Sequence, residues 1–208
     1  MRGFGGVVLG LLASLGLLAW AIGDAQAAHS DYGCHNCHVP HKAATPNDPD
    51  ASWGVPLWST AQTSDGLPTF TLYSSDTFDA LATDISQPDG ASKMCLGCHD
   101  GSYIAFSYMP GSEAIFGPDD LAKSHPISFT YDSSLASRHP NGSLRDPAVA
   151  TSGLGGTVQQ DLLDSHGKMQ CTSCHDVHTS GLGEFMLRYE YNVTTHTDNV
   201  MCRVCHDK

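Results

Sequence analysis

Four short stretches decide how this chain folds: Cys34-His35-Asn36-Cys37-His38, Cys95-Leu96-Gly97-Cys98-His99, Cys171-Thr172-Ser173-Cys174-His175 and Cys202-Arg203-Val204-Cys205-His206. Together they hold all eight cysteines. An even cysteine count in an exported chain first suggests disulfides, but a disulfide has no use for a histidine behind each pair. Zinc ribbons use Cys-x-x-Cys without that fixed histidine, and thioredoxin-like sites use one pair in a βαβ context absent here. With twelve histidines in 208 residues, one behind every pair by chance is on the order of a 1 in 10⁵ event. Cys-x-x-Cys-His is the attachment sequence of haem c, in which two thiols add to the two vinyl groups of one porphyrin and the trailing imidazole reaches the iron. The sequence therefore predicts four covalent haems c. Cys34, Cys37, Cys95, Cys98, Cys171, Cys174, Cys202 and Cys205 are the attachment residues, and His38, His99, His175 and His206 the proximal ligands.

Eight histidines remain: His29, His35, His41, His125, His139, His166, His178 and His196. Four of them suffice to make every iron bis-His. His35 is pinned inside a thioether loop and is the poorest candidate. His41 and His178 each follow a motif in the form Cys-His-x-x-His. Residues three apart in a helical turn share a face, so neither can oppose its own proximal histidine, and each is expected to serve a neighbouring haem. His125 precedes Pro126, which disfavours helix and holds it in an extended loop as a further ligand. His29, just upstream of Cys34, lies on an arm able to reach another subunit. His139, His166 and His196 sit in polar loops where exposure is the default, with His166 the reserve ligand.

Upstream of the first motif, Arg2 precedes an apolar stretch from Val7 to Ile22 that ends at Ala25-Gln26-Ala27. This reads as a cleaved signal peptide over residues 1–27, leaving no stable membrane span, although Phe4 to Ile22 is about long enough to cross a bilayer if uncleaved. Export fits haem attachment outside the cytoplasmic membrane. The formal net charge is −12, and Arg2 and Asp24 cancel, so cleavage leaves it unchanged. Nucleic-acid binding, which calls for a basic patch, is excluded. The remaining chain is polar and rich in Gly, Pro, Ser, Thr and Asp, too poor in apolar side chains to offset its conformational entropy alone. Porphyrin faces would supply the missing core.

The expected fold is mostly coil, with short helices at the haem motifs, few short strands and a core built from a stacked haem chain. One tetrahaem domain is expected over 28–208, as two haem pairs over about 28–125 and 126–208. The first and third motifs share Cys-His-x-x-His, and the second and fourth share Cys-His-Asp, ending at Asp100 and Asp207. Trp53, Val55, Leu57 and Trp58 are expected to stack on porphyrin. Phe70 to Ser74 reads as a short strand, Thr77 to Thr83 as a helical turn or two, Val158 to Asp164 as helix, and Glu184 to Tyr191 as extended.

The stretches from Cys34 to His41 and from Cys171 to His178 resemble multihaem cytochromes with paired CxxCH motifs. So do Val55-Pro56-Leu57-Trp58, Thr71-Leu72-Tyr73-Ser74-Ser75, Cys95 to Gly101 and His125-Pro126-Ile127-Ser128-Phe129. The resemblance covers most of the chain beyond residue 27 and is closest to tetrahaem and hexahaem outer-surface cytochromes of the OmcE and OmcS type, which polymerise into extracellular nanowires. It implies that every haem is bis-His, that His41, His125 and His178 are internal distal ligands, and that His29 ligates a haem of the next subunit. Three functions compete. One is a conducting filament at the cell surface, a homopolymer built by head-to-tail contacts. The second is a soluble periplasmic electron shuttle steered to redox partner proteins by its acidic charge. The third is a haem reductase subunit, for which the sequence offers no open iron with convergent donors. Electron carriage rather than catalysis is the expectation.

Overall fold

Much of the backbone is irregular, because the polar, Gly- and Pro-rich segments between motifs offer no sustained helical or strand periodicity. The computed structural model describes residues 29, 34, 37, 38, 41, 68–100, 116–138, 143–179, 182, 185–190 and 200–207. The expectations for residues 1–27, for the Trp53–Trp58 cluster and for His35, His139 and His196 lie outside them.

Five short helices appear among the described residues: α1 (Gly90–His99), α2 (Ser133–Arg138), α3 (Val158–Asp161), α4 (Cys171–Cys174) and α5 (Val200–Arg203). A single 3₁₀ turn covers Leu121–Lys123. Strands β1 (Phe129–Thr130) and β2 (Lys168–Met169) pair antiparallel, with Phe129 opposite Met169 and Thr130 opposite Lys168. Three helices carry motif cysteines: α1 holds Cys95 and Cys98, α4 holds Cys171 and Cys174, and α5 holds Cys202. Among the described residues, mostly coil with short helices and one two-stranded ladder matches the secondary structure expected from sequence.

Two apolar clusters anchor these elements. The larger gathers Phe129, Tyr131, Leu135, Val158, Leu162, Met169 and Cys205, so a cysteine of the fourth motif is itself part of the core. Phe78 meets Phe129 edge to face at 5.1 Å. The smaller joins Phe70, Leu96 and Leu121, seating α1 between a segment that precedes it and one that follows. Helices α1 and α4 pack against each other, although they lie on opposite sides of the division expected near residue 125. No helix among the described residues is long and apolar enough to cross a membrane.

Three local expectations are corrected. Phe70 to Ser74 forms no strand, because its backbone groups are engaged elsewhere. The Gln87 amide bonds both the N–H (2.9 Å) and the carbonyl (3.0 Å) of Phe70, and the Thr71 N–H donates to the Pro118 carbonyl at 2.7 Å. Thr77 to Thr83 closes turns rather than helix: Thr77 N–H donates to the Ser75 hydroxyl, and Asp84 N–H reaches only back to Leu81. The helix begun at Val158 stops at Asp161. Beyond it the Asp164 carboxylate accepts the N–H groups of His166 (2.8 Å) and Lys168 (2.9 Å), and Gly167 takes φ +71°, turning the chain into β2. Of Glu184 to Tyr191, residues 185–190 are described, and Leu187 bridges to His175.

Candidate functional site

The same local turn recurs at every motif. The N–H of the trailing histidine donates to the carbonyl of the first cysteine at 2.8 Å in His38–Cys34, 3.0 Å in His175–Cys171 and 2.9 Å in His206–Cys202; in the second motif the corresponding residues are inside α1. A helical turn places residues i, i+3 and i+4 on one face. Both thiols and the imidazole of each motif therefore share a side, which is what attachment of a flat ring through two sulfurs and one ligand requires.

Each motif is fastened by its own contacts. At the third, Asp176 N–H donates to Met186 and Arg188 N–H to Cys174, at 2.8 and 2.9 Å. At the fourth, Arg145 N–H donates to Cys205 and Asp207 N–H to Ser143, each at 2.8 Å. The Arg145 guanidinium pairs with Asp207 at 2.9 Å. The Tyr131 hydroxyl donates to the Arg145 carbonyl and, at 3.4 Å, to that of Cys205. At the second, Phe116 N–H donates to the His99 carbonyl at 2.7 Å.

The trailing histidines of three motifs each face a second histidine. His38 lies 6.1 Å from His178 between ring centroids, with planes 25° apart. His99 lies 6.0 Å from His29 at 37°, and His206 lies 6.4 Å from His125 at 74°. Two imidazoles bonded to one iron from opposite sides at about 2 Å each stand roughly 6 Å apart between ring centres. The donor set thus fits a bis-His haem iron. A structural zinc would need four protein ligands, and among the described residues no group of three or more His, Cys, Asp or Glu side chains converges on such a centre.

Hydrogen bonds orient two rings, His175 and His125, for ligation. His175 Nδ1 is 2.7 Å from the Phe185 carbonyl and His125 Nδ1 is 2.9 Å from that of Pro126. A carbonyl can only accept, so in each ring Nδ1 carries the hydrogen and the Nε2 lone pair is left for a metal. The turn that presents His178 is shaped by Asp176, whose carboxylate accepts from the N–H groups of His178 (2.9 Å) and Thr179 (3.2 Å) and from the Thr179 hydroxyl (2.8 Å). Burial works against ionisation there, but these bonds and nearby Arg188 outweigh it and hold the Asp176 carboxyl below its usual value. Burial, then His99 and His175, keeps the His29 imidazole below its ordinary pKa and so neutral, as a ligand must be. His41 is exposed, as is His166, which bonds Ser165 at 3.3 Å.

Consecutive motifs are neighbours in space. Cys171, then burial and nearby Cys37, push the Cys95 thiol up. Cys37 also raises Cys98, after burial. Burial, Cys171 and Cys202 push Cys174 up to about 11, and burial, Cys174 and Cys202 push Cys205 up to about 12. The packing of α1 on α4 seats the second motif beside the third. Sequence reasoning missed the polar residues that hold it, chiefly Gln170, Ser92 and Ser128, because a buried hub made of residues far apart in the chain leaves no local pattern.

Residues 165–208, which span the third and fourth motifs, match the family model described as the doubled CXXCH motif. No curated protein matches the chain. The match supports a multihaem c-type cytochrome, whose CXXCH motifs imply covalently bound haem c.

Proposed function

We propose that this chain carries electrons along a row of four covalent haems, each iron held between two imidazoles supplied by the chain itself. Haem iron supplies a one-electron couple with no bond made or broken in a substrate. The protein's part is to fix the irons in order and close their axial positions. The observation that carries this reading is the set of facing histidines at about the spacing of a shared iron: His38 with His178, His99 with His29, and His206 with His125. His41 is assigned to the remaining iron, that of His175. The first and third motifs then exchange distal ligands, His178 serving the first and His41 the third. With both axial sites filled on every iron, none is open to a substrate, which favours a carrier over a reductase.

The setting is outside the cytoplasm, where multihaem c-type cytochromes typically work. Between shuttle and filament, the placement of His29 beside His99 of its own chain favours a unit complete as a monomer, over one in which His29 crosses to the next subunit. A filament built on other contacts is compatible with the same ligand set.

Mass spectrometry of the exported protein should give the polypeptide plus four haems; a mass equal to the polypeptide alone refutes the proposal. The oxidised wild-type monomer should stay entirely low-spin on dilution, and His29→Ala should gain a high-spin component while remaining monomeric. If the wild type itself turns partly high-spin as filaments dissociate, the ligand is intermolecular.

A further inference from the structure

Gln170 is 1 % exposed and stands immediately before the third motif. Its amide is saturated: the oxygen accepts from Ser92 N–H at 3.2 Å and the Ser128 hydroxyl at 3.3 Å, and the nitrogen donates to Asp89 at 3.0 Å and Asp164 at 2.9 Å. Only this orientation sets both amide hydrogens against carboxylates and the carbonyl against donors. Its backbone N–H donates to Ser173 at 2.9 Å, inside the third motif. Ser92, fully buried on α1, returns the contact by accepting Cys171 N–H at 2.9 Å. Lys168 pairs with Asp89 at the start of α1. Gly90 approaches so closely that a Cβ there would lie 3.0 Å from Gln170 Nε2, and its φ of +48° suits glycine.

The hub also holds the loop that bears His125. Ser128 is fully buried with φ +57°, a conformation costly for a residue with a side chain. It is kept there by bonds to Met169 (2.6 Å), Asp89 (3.1 Å) and Gln170. The network ties α1, the residue that opens α4 and the loop after His125 to one buried side chain. Its geometric effect is to press the cysteine-bearing faces of α1 and α4 together.

We propose that Gln170 is a positioning residue that sets the separation of the second and third haems, and with it the electronic contact at the middle of the row. The inference rests on the haem reading above and adds a residue to it that touches no iron. Substitution by leucine removes all four amide bonds and leaves Asp89 and Asp164 facing apolar surface.

The test is electron paramagnetic resonance of the oxidised haem-loaded protein, in which adjacent ferric irons couple magnetically. Gln170→Leu should keep its full haem mass and low-spin spectrum, melt at a lower temperature and lose at least half of the coupled signal. Ser92→Ala, which removes only the bond to Cys171, should change the coupling in the same direction by less, and it decides the matter if Gln170→Leu does not accumulate. Gln87→Leu, which frees the backbone of Phe70 outside the hub, should lower the melting temperature and leave the coupling unchanged. Coupling that survives Gln170→Leu, or that falls equally in Gln87→Leu, overturns the proposal. Wild-type protein without haem would instead fail the underlying functional reading.

Discussion

At His29, burial and ligand chemistry act in the same direction. The imidazole is held below its ordinary pKa, so the folded protein resists the proton that the unfolded chain takes up below about pH 6.5. Acid therefore favours the unfolded state. The contribution is absent above that pH and grows as the pH falls towards the lowered native value. The melting temperature of the wild type should decline between pH 7 and pH 5, and His29→Ala should flatten part of that decline; an identical pH profile in the two proteins would contradict this account. At this scale the four motifs and the helical turn each forms were legible, because two thiols and an imidazole that are to share one porphyrin must sit at fixed intervals in the chain. Which histidine each trailing imidazole faces was not. His178 faces His38 from far along the sequence, and only the folded backbone determines such a meeting.

The elements are short because each motif needs one helical turn and little more. Their stability then depends on end contacts, since a helix of four residues has almost no internal hydrogen bonding. α3 illustrates this. The Thr157 hydroxyl accepts Gln160 N–H at 3.3 Å while the Gln160 side chain accepts Thr157 N–H at 3.0 Å, a reciprocal cap. Thr157→Ala should cost about 1 kcal/mol, read as a lower denaturation midpoint at unchanged haem content. The helix start at Val158 was visible from its pattern, but its early end was not, because Asp164 acts through bonds to the backbone of His166 and Lys168. The strand expected at Phe70 failed for a similar reason. Its alternation is real, yet Gln87 takes the backbone groups that a ladder would have used.

For the whole molecule, a net charge of −12 dominates encounters at distance. At about 0.1 M salt the screening length is about 10 Å, so raising the ionic strength several-fold should slow electron exchange with a cationic redox partner and speed it with an anionic one. Stopped-flow rates would show it, and a rate indifferent to salt would remove electrostatic steering. Self-association responds oppositely to exchange with a cationic partner, since salt relieves repulsion between like-charged copies. That charge was legible from composition, whereas the packing of α1 on α4 was not. This packing also bears on how the protein is made. Cys95 and Cys171 come together in the finished fold, each half-buried. If haem is attached as proposed, loading these two cysteines before the segments close avoids prising α1 from α4, and closure of the two segments would then mark a subunit whose middle is complete.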